Sequence, residues 1–138
     1  MEDMSVFAQV NWVAILLGGV FSMILGFLWY GPLFGKLWLR SIGKKQEELK
    51  SSPQMYIIAF VAALAAGYVL AVLTGALGVS VWWRGALLGA IVSVGIGAAA
   101  ALVNGLFLRN TISSWVLFAF YQLVLYAVEG TVFALWKP

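Results

Sequence analysis

Ser114–Trp136 reads SWVLFAFYQLVLYAVEGTVFALW, and Glu129 is its one charged residue. A carboxylate at membrane depth costs roughly 2–3 kcal/mol or more unless it is paired, hydrated or protonated. Its chemistry would be to hold a proton or a cationic ligand in a polar cavity, expected to open toward the outside. Gln122 lies two helical turns earlier and Tyr126 one turn earlier, near the same helical face. Asn11, Trp12 and Arg84 fall near the same end of other apolar segments. Together these six residues are the candidates for a ligand or proton site. A structural role competes with it. Glu129 paired with Arg84, or held by Asn11 and the indole N–H of Trp12, would serve only to fix helix register.

The other residue types exclude much chemistry. The chain has no Cys and no His. It therefore lacks a thiol nucleophile, a disulfide framework, the usual base near neutral pH and the commonest metal ligand. A lone carboxylate with scattered Ser makes no nucleophile–base pair, so no enzyme is expected. Several convergent carboxylates would be needed for a metal, and none are present, so no cofactor or metal is expected. The Gly runs lie in apolar stretches and are not phosphate loops.

What must position these residues is a membrane bundle. The chain has 138 residues, 64% hydrophobic and 9% charged, against about 25% charged for a soluble domain. Four apolar segments, roughly Val10–Phe34, Gln54–Leu77, Trp83–Leu108 and Ser114–Trp136, are long enough to span the hydrocarbon. Their continuous apolar character excludes the alternation of a barrel. The expected fold is all-α, a single domain over 1–138 made of four transmembrane helices. The acidic start, MEDMSVFAQ, does not look like a cleaved signal.

Orientation follows from Lys and Arg. Lys36, Arg40, Lys44, Lys45 and Lys50 follow the first helix, and Arg109 follows the third. The other side has Arg84 and Lys137, with acidic Glu2 and Asp3. The positive-inside rule places both termini outside, in a plasma or inner membrane. The net charge of +3 reads as this topology signal, not as a nucleic-acid footprint. The mixed segment Leu33–Leu49, which leads into the cytoplasmic loop 35–52, is expected to hold a short interfacial helix; a solvated basic loop that only fixes topology is the alternative. There Phe34, Leu37, Trp38 and Ile42 share a face and Lys36, Arg40, Lys44 and Lys45 lie outside it. Trp12, Trp29, Tyr30, Trp38, Trp82, Trp83, Trp115 and Trp136 fall near helix ends, as an aromatic belt does. A cage for an organic cation beside Glu129 is the alternative use of these rings.

Small residues recur at every fourth position. Gly85, Gly89, Ser93, Gly97, Ala101 and Gly105 line the third helix; Ala59, Ala63, Gly67, Ala71 and Gly75 line the second; Gly18, Ser22 and Gly26 line the first. Such faces let membrane helices approach closely. Any face not filled within one chain becomes a dimer seam, so a homo-oligomer is expected. Trp12, Leu16, Leu17, Gly18, Ser22 and Gly26 recur at one constant offset as Trp83, Leu87, Leu88, Gly89, Ser93 and Gly97. This suggests two repeated hairpins.

Asn11-Trp12 followed by Gly26-Phe27-Leu28-Trp29-Tyr30-Gly31-Pro32-Leu33-Phe34-Gly35-Lys36-Leu37-Trp38 resembles the family labelled domain of unknown function 1761. The ending, with Gly130 shortly before Trp136, is similar too. The resemblance covers most of the chain, and the first-helix motif is its specific part. It implies a small bacterial four-helix membrane protein and no assigned activity. Some members carry a Tyr-His pair in the last helix. Tyr121 and Gln122 stand there in this chain, which therefore lacks that titration. The expected function is binding or transport of a small or lipophilic molecule, or a lipid, through Glu129. The alternative is a structural or accessory membrane protein.

Overall fold

The computed structural model describes residues 3–138; Glu2, counted above on the weakly basic side, lies outside them. Four helices are long and apolar enough to cross a membrane: α1 (Trp12–Leu33), α3 (Pro53–Ala76), α4 (Trp82–Phe107) and α5 (Ile112–Leu135). A short helix, α2 (Gly35–Ile42), follows α1. No strand occurs among the described residues.

The starts of three spans are written in polar side chains. Asn11 accepts from the Ala14 N–H at 3.0 Å, Ser52 from Met55 at 3.4 Å and Thr111 from Ser114 at 3.1 Å. Each cap satisfies one of the amide donors that a helix start leaves open. Pro53 adds a φ angle suited to the first turn. Two of the spans widen locally. Trp29–Leu33, around Pro32, and Ser93–Ala98 are π-helical. Pro32 has no N–H to continue the helical ladder, and the wider turn accommodates that loss. The backbone then bends so closely that a Cβ on Gly35 would lie 2.8 Å from the Tyr30 carbonyl.

In the basic segment the α-helix covers Gly35–Ile42. Helix α2 stops at Ile42 because Gly43 adopts a left-handed φ of 68°. Only a single 3₁₀ turn, Gln46–Glu48, follows before α3. Trp38 and Ile42 are half-buried, whereas Lys36, Arg40, Lys44 and Lys45 are exposed.

Packing is concentrated at the end of the bundle that carries both termini. There the Asn11 amide donates to the Trp136 carbonyl at 3.3 Å. The main apolar core is Val10, Ala14, Ile15, Leu70, Ala71, Val72 and Phe133. Helices α4 and α5 touch backbone to backbone. A Cβ on Gly85 would run into the Gly130 carbonyl, one on Gly130 into the Gly85 carbonyl, and one on Gly89 into the Tyr126 carbonyl. Helices α1 and α3 meet differently, with Gly19 receiving the ends of Leu64 and Phe60. The small face of α4 from Gly85 to Gly97 is thus filled by α5 of the same chain.

Candidate functional site

The inward face of α5 follows a four-residue step. Leu117, Leu125, Glu129 and Phe133 are all buried, and half-buried Tyr121 completes the run. This i, i+4 spacing puts Glu129 among the helices and away from lipid. Its side chain is only 3% exposed. The carboxyl occupies a notch made by two glycines. A Cβ on Gly18 of α1 would stand 2.7 Å from Oε1, and one on Gly67 of α3 would stand 3.9 Å from Oε2. Among the described residues Glu129 forms no ion pair, and Oε2 has no hydrogen-bond partner. An unpartnered buried acceptor costs about 1–3 kcal/mol, more when charged.

Arg84 does not reach it. The Arg84 side chain is exposed, with its guanidinium carbon 5.4 Å from the centre of the Trp83 ring. The reason is helical geometry. Gly85, the next residue, is the contact point with α5, and neighbouring residues on a helix diverge by about 100°. Asn11 and Trp12 are also engaged elsewhere. Asn11 caps α1 and binds the Trp136 carbonyl. The Trp12 ring stacks on Tyr68 with centroids 5.6 Å apart. The expected Arg84 pair and Asn11–Trp12 cradle are therefore replaced by a glycine-lined seat.

Gln122 and Tyr126 do belong to a larger feature. They line a cavity of about 1280 Å³ between α1, α3, α4 and α5. Its inner end is formed by Ser22, Leu125 and Tyr126, and its rim by Gln46, Lys50, Asn104, Asn110, Thr111 and Ser114. The rim residues belong to the basic loop and the α4–α5 turn. The cavity therefore opens at the basic-loop end, opposite to the expected outward opening. At the other end the space among Asn11, Phe133, Trp136 and Lys137 is only about 20 Å³.

The origin of the cavity is legible in residue size. Ala59, Ala62 and Ala63 of α3, Ala101 and Gly105 of α4, and Gly26 of α1 all line it. The α4 stripe that meets the α5 backbone at Gly85 and Gly89 no longer does so at Gly105. Polar and aromatic groups brace the walls. Tyr121 donates to the Ser22 carbonyl at 2.9 Å and shares a 3.1 Å hydrogen bond with the Ser22 hydroxyl. The Trp29 indole donates to the Leu117 carbonyl at 3.1 Å, and the Trp115 indole to Ala98 at 2.7 Å. Tyr30 packs edge-on against both Trp38 and Tyr121. These two tryptophans join helices as well as lying near helix ends.

Tyr121 and Ser22 line the cavity without standing among the six candidates, and Tyr30 and Trp38, two of the helix-end aromatics, line it as well. The signal for Tyr121 was present, since it stands two four-residue steps before Glu129. Asn104, near the basic end of α4, is a rim residue.

Glu129 is not itself in the cavity wall. It lies one turn beyond Leu125 and Tyr126, just as Gly18 lies one turn beyond Ser22 on α1. Side chains on a helix lean toward its N-terminus. On α5 that direction is toward the cavity. The arrangement can therefore present a carboxyl behind the floor of an aromatic-walled chamber. It offers no nucleophile–base pair, and no cluster of three or more metal-binding side chains occurs among the described residues.

No curated protein and no solved structure matches this chain. Residues 13–134 match the family model described as "Protein of unknown function (DUF1761)", which spans all four apolar helices, and the chain belongs to that family.

Proposed function

We propose that this protein binds, and by changing which end is open transports, a small lipophilic molecule, with Glu129 as the polar anchor beyond the inner end of the site. The observation that carries this reading is the cavity of about 1280 Å³ within the bundle. Ligand sites are typically concave, mostly apolar and furnished with a few convergent polar groups. Ser22, Tyr121, Gln122 and Tyr126 supply those groups here. No chemical step is needed, and the protein acts as a carrier or receptor, not an enzyme. With the basic loop in the cytoplasm of a bacterial inner membrane, the chamber would open to the cytoplasmic side.

The test is binding of a neutral lipophilic dye, Nile red, to the chain in lipid nanodiscs. Ala63→Phe fills the chamber from its α3 wall, and Ile57→Phe enlarges a residue that is 63% exposed and outside the cavity lining. Saturable binding lost in the first variant and kept in the second is the expected result. Equal binding by both variants and by empty discs would sink the reading.

A structural role for Glu129 has one observation in its favour, the fit of its carboxyl between Gly18 and Gly67. On that reading Glu129→Gln loosens the α1–α3–α5 contact and leaves dye binding unchanged.

A further inference from the structure

The glycine-seated carboxyl and the chamber in front of it are explained together by one class of ligand. We propose that the cavity takes a lipophilic organic cation, held between its aromatic walls and the Glu129 carboxylate behind its floor. This rests on the reading of the cavity as a ligand site and names the charge of its occupant.

Glu129 is 3% exposed, forms no ion pair among the described residues, and leaves Oε2 without a hydrogen-bond partner. A carboxylate removed from water is stabilised by an opposite charge brought close to it, and the low dielectric strengthens that attraction. Among the described residues none supplies such a charge, and Arg84 is turned outward onto Trp83. The carboxyl sits between Gly18 and Gly67, one turn beyond Ser22, Leu125 and Tyr126 of the chamber's inner end.

The chamber suits a cation of organic size. Tyr30, Trp38, Trp115, Phe118, Tyr121 and Tyr126 put aromatic rings into its lining. Ring faces attract cations, most strongly where water is excluded. Among the described residues Lys50 is the one charged residue in that lining, and it belongs to the rim, so none of them puts a positive charge in the interior. A bare metal ion is a poor fit, since a lone carboxyl is far from a full ligand set. An anion would meet the carboxylate with no compensating base. A neutral lipophile would leave the carboxyl as unpartnered as before.

Tetraphenylphosphonium and tetraphenylborate test this directly, because they share a shape and differ in the sign of charge. Each ion, radiolabelled, is equilibrated by dialysis with the full chain in neutral-lipid nanodiscs, with empty discs as the blank. The wild-type chain is expected to bind the phosphonium saturably and at least about tenfold more tightly than the borate. Glu129→Gln is expected to erase that preference, and Ala63→Phe to abolish binding of the phosphonium. The wild-type comparison of the two ions needs no variant, so it stands if Glu129→Gln fails to fold. Equal binding of both ions, or a preference that survives in Glu129→Gln, overturns the cation assignment while the ligand cavity stands. The same holds if Nile red binds and neither ion does. Failure of all three probes overturns both readings.

Discussion

At the residue scale, the surroundings of Glu129 decide what it can do. Its carboxyl fits because Gly18 and Gly67 have no side chain, and the Gly18 contact is the tighter of the two. Gly18→Ala is therefore expected to displace the carboxyl and destabilise the bundle by about 1–2 kcal/mol. In a double-mutant cycle with Glu129→Ala, the coupling should exceed about 0.5 kcal/mol, because the two groups touch. Reversible unfolding in mixed micelles measures both. Arg84→Ala in the same assay should change stability by less than about 0.5 kcal/mol, since its guanidinium rests on an exposed Trp83. A large loss from Arg84→Ala would mean that an Arg84–Glu129 pair forms after all.

At the scale of elements, α4 shows how one small-residue stripe serves two ends differently. Gly85 and Gly89 bring its backbone against the backbone of α5 at Gly130 and Tyr126. Without a hydrophobic drive in lipid, such close packing is what holds helices together. Gly89→Ala or Gly130→Ala would force the two helices apart, because the atoms in the way are backbone and cannot rotate aside. Each should cost more than about 2 kcal/mol. Gly95→Ala, with open space around its Cα, should be neutral or slightly stabilising in the same unfolding assay. Further along the stripe, Ala101 and Gly105 face the chamber. There a small residue leaves room for a ligand where no neighbouring helix closes in.

At the scale of the whole molecule, the bundle is closed around its termini and open at the basic loop. The chain has no Cys, so single cysteines report access without background. Ala63→Cys and Ala101→Cys, both in the chamber wall, should react with a small water-soluble thiosulfonate. Leu70→Cys, at 1% exposure in the core, should not react. Adding the reagent to one face of sealed vesicles would also show which side the chamber opens to. Protection of Ala63→Cys by tetraphenylphosphonium would place that ion in the chamber. Labelling of Leu70→Cys as fast as Ala63→Cys would contradict the closed terminal end.

The amino-acid sequence alone determined the class of this molecule, because solvent preference is a local property. Long apolar runs need lipid whatever their neighbours, and polar caps such as Asn11, Ser52 and Thr111 start helices through contacts three residues away. The family motif around Trp29-Tyr30-Gly31-Pro32 was equally local. Glu129 stood out for the same reason, being the lone charge in its span. What only the tertiary structure decided was which groups meet it. Sequence position placed Arg84, Asn11 and Trp12 near the same end of the bundle, but the rotation of each helix about its axis turned all of them to other partners. The small-residue stripes were readable, yet equal spacing at both ends could not show that one end packs and the other stands open. That depends on how four helices diverge along their length, a relation between elements that no single segment of sequence contains.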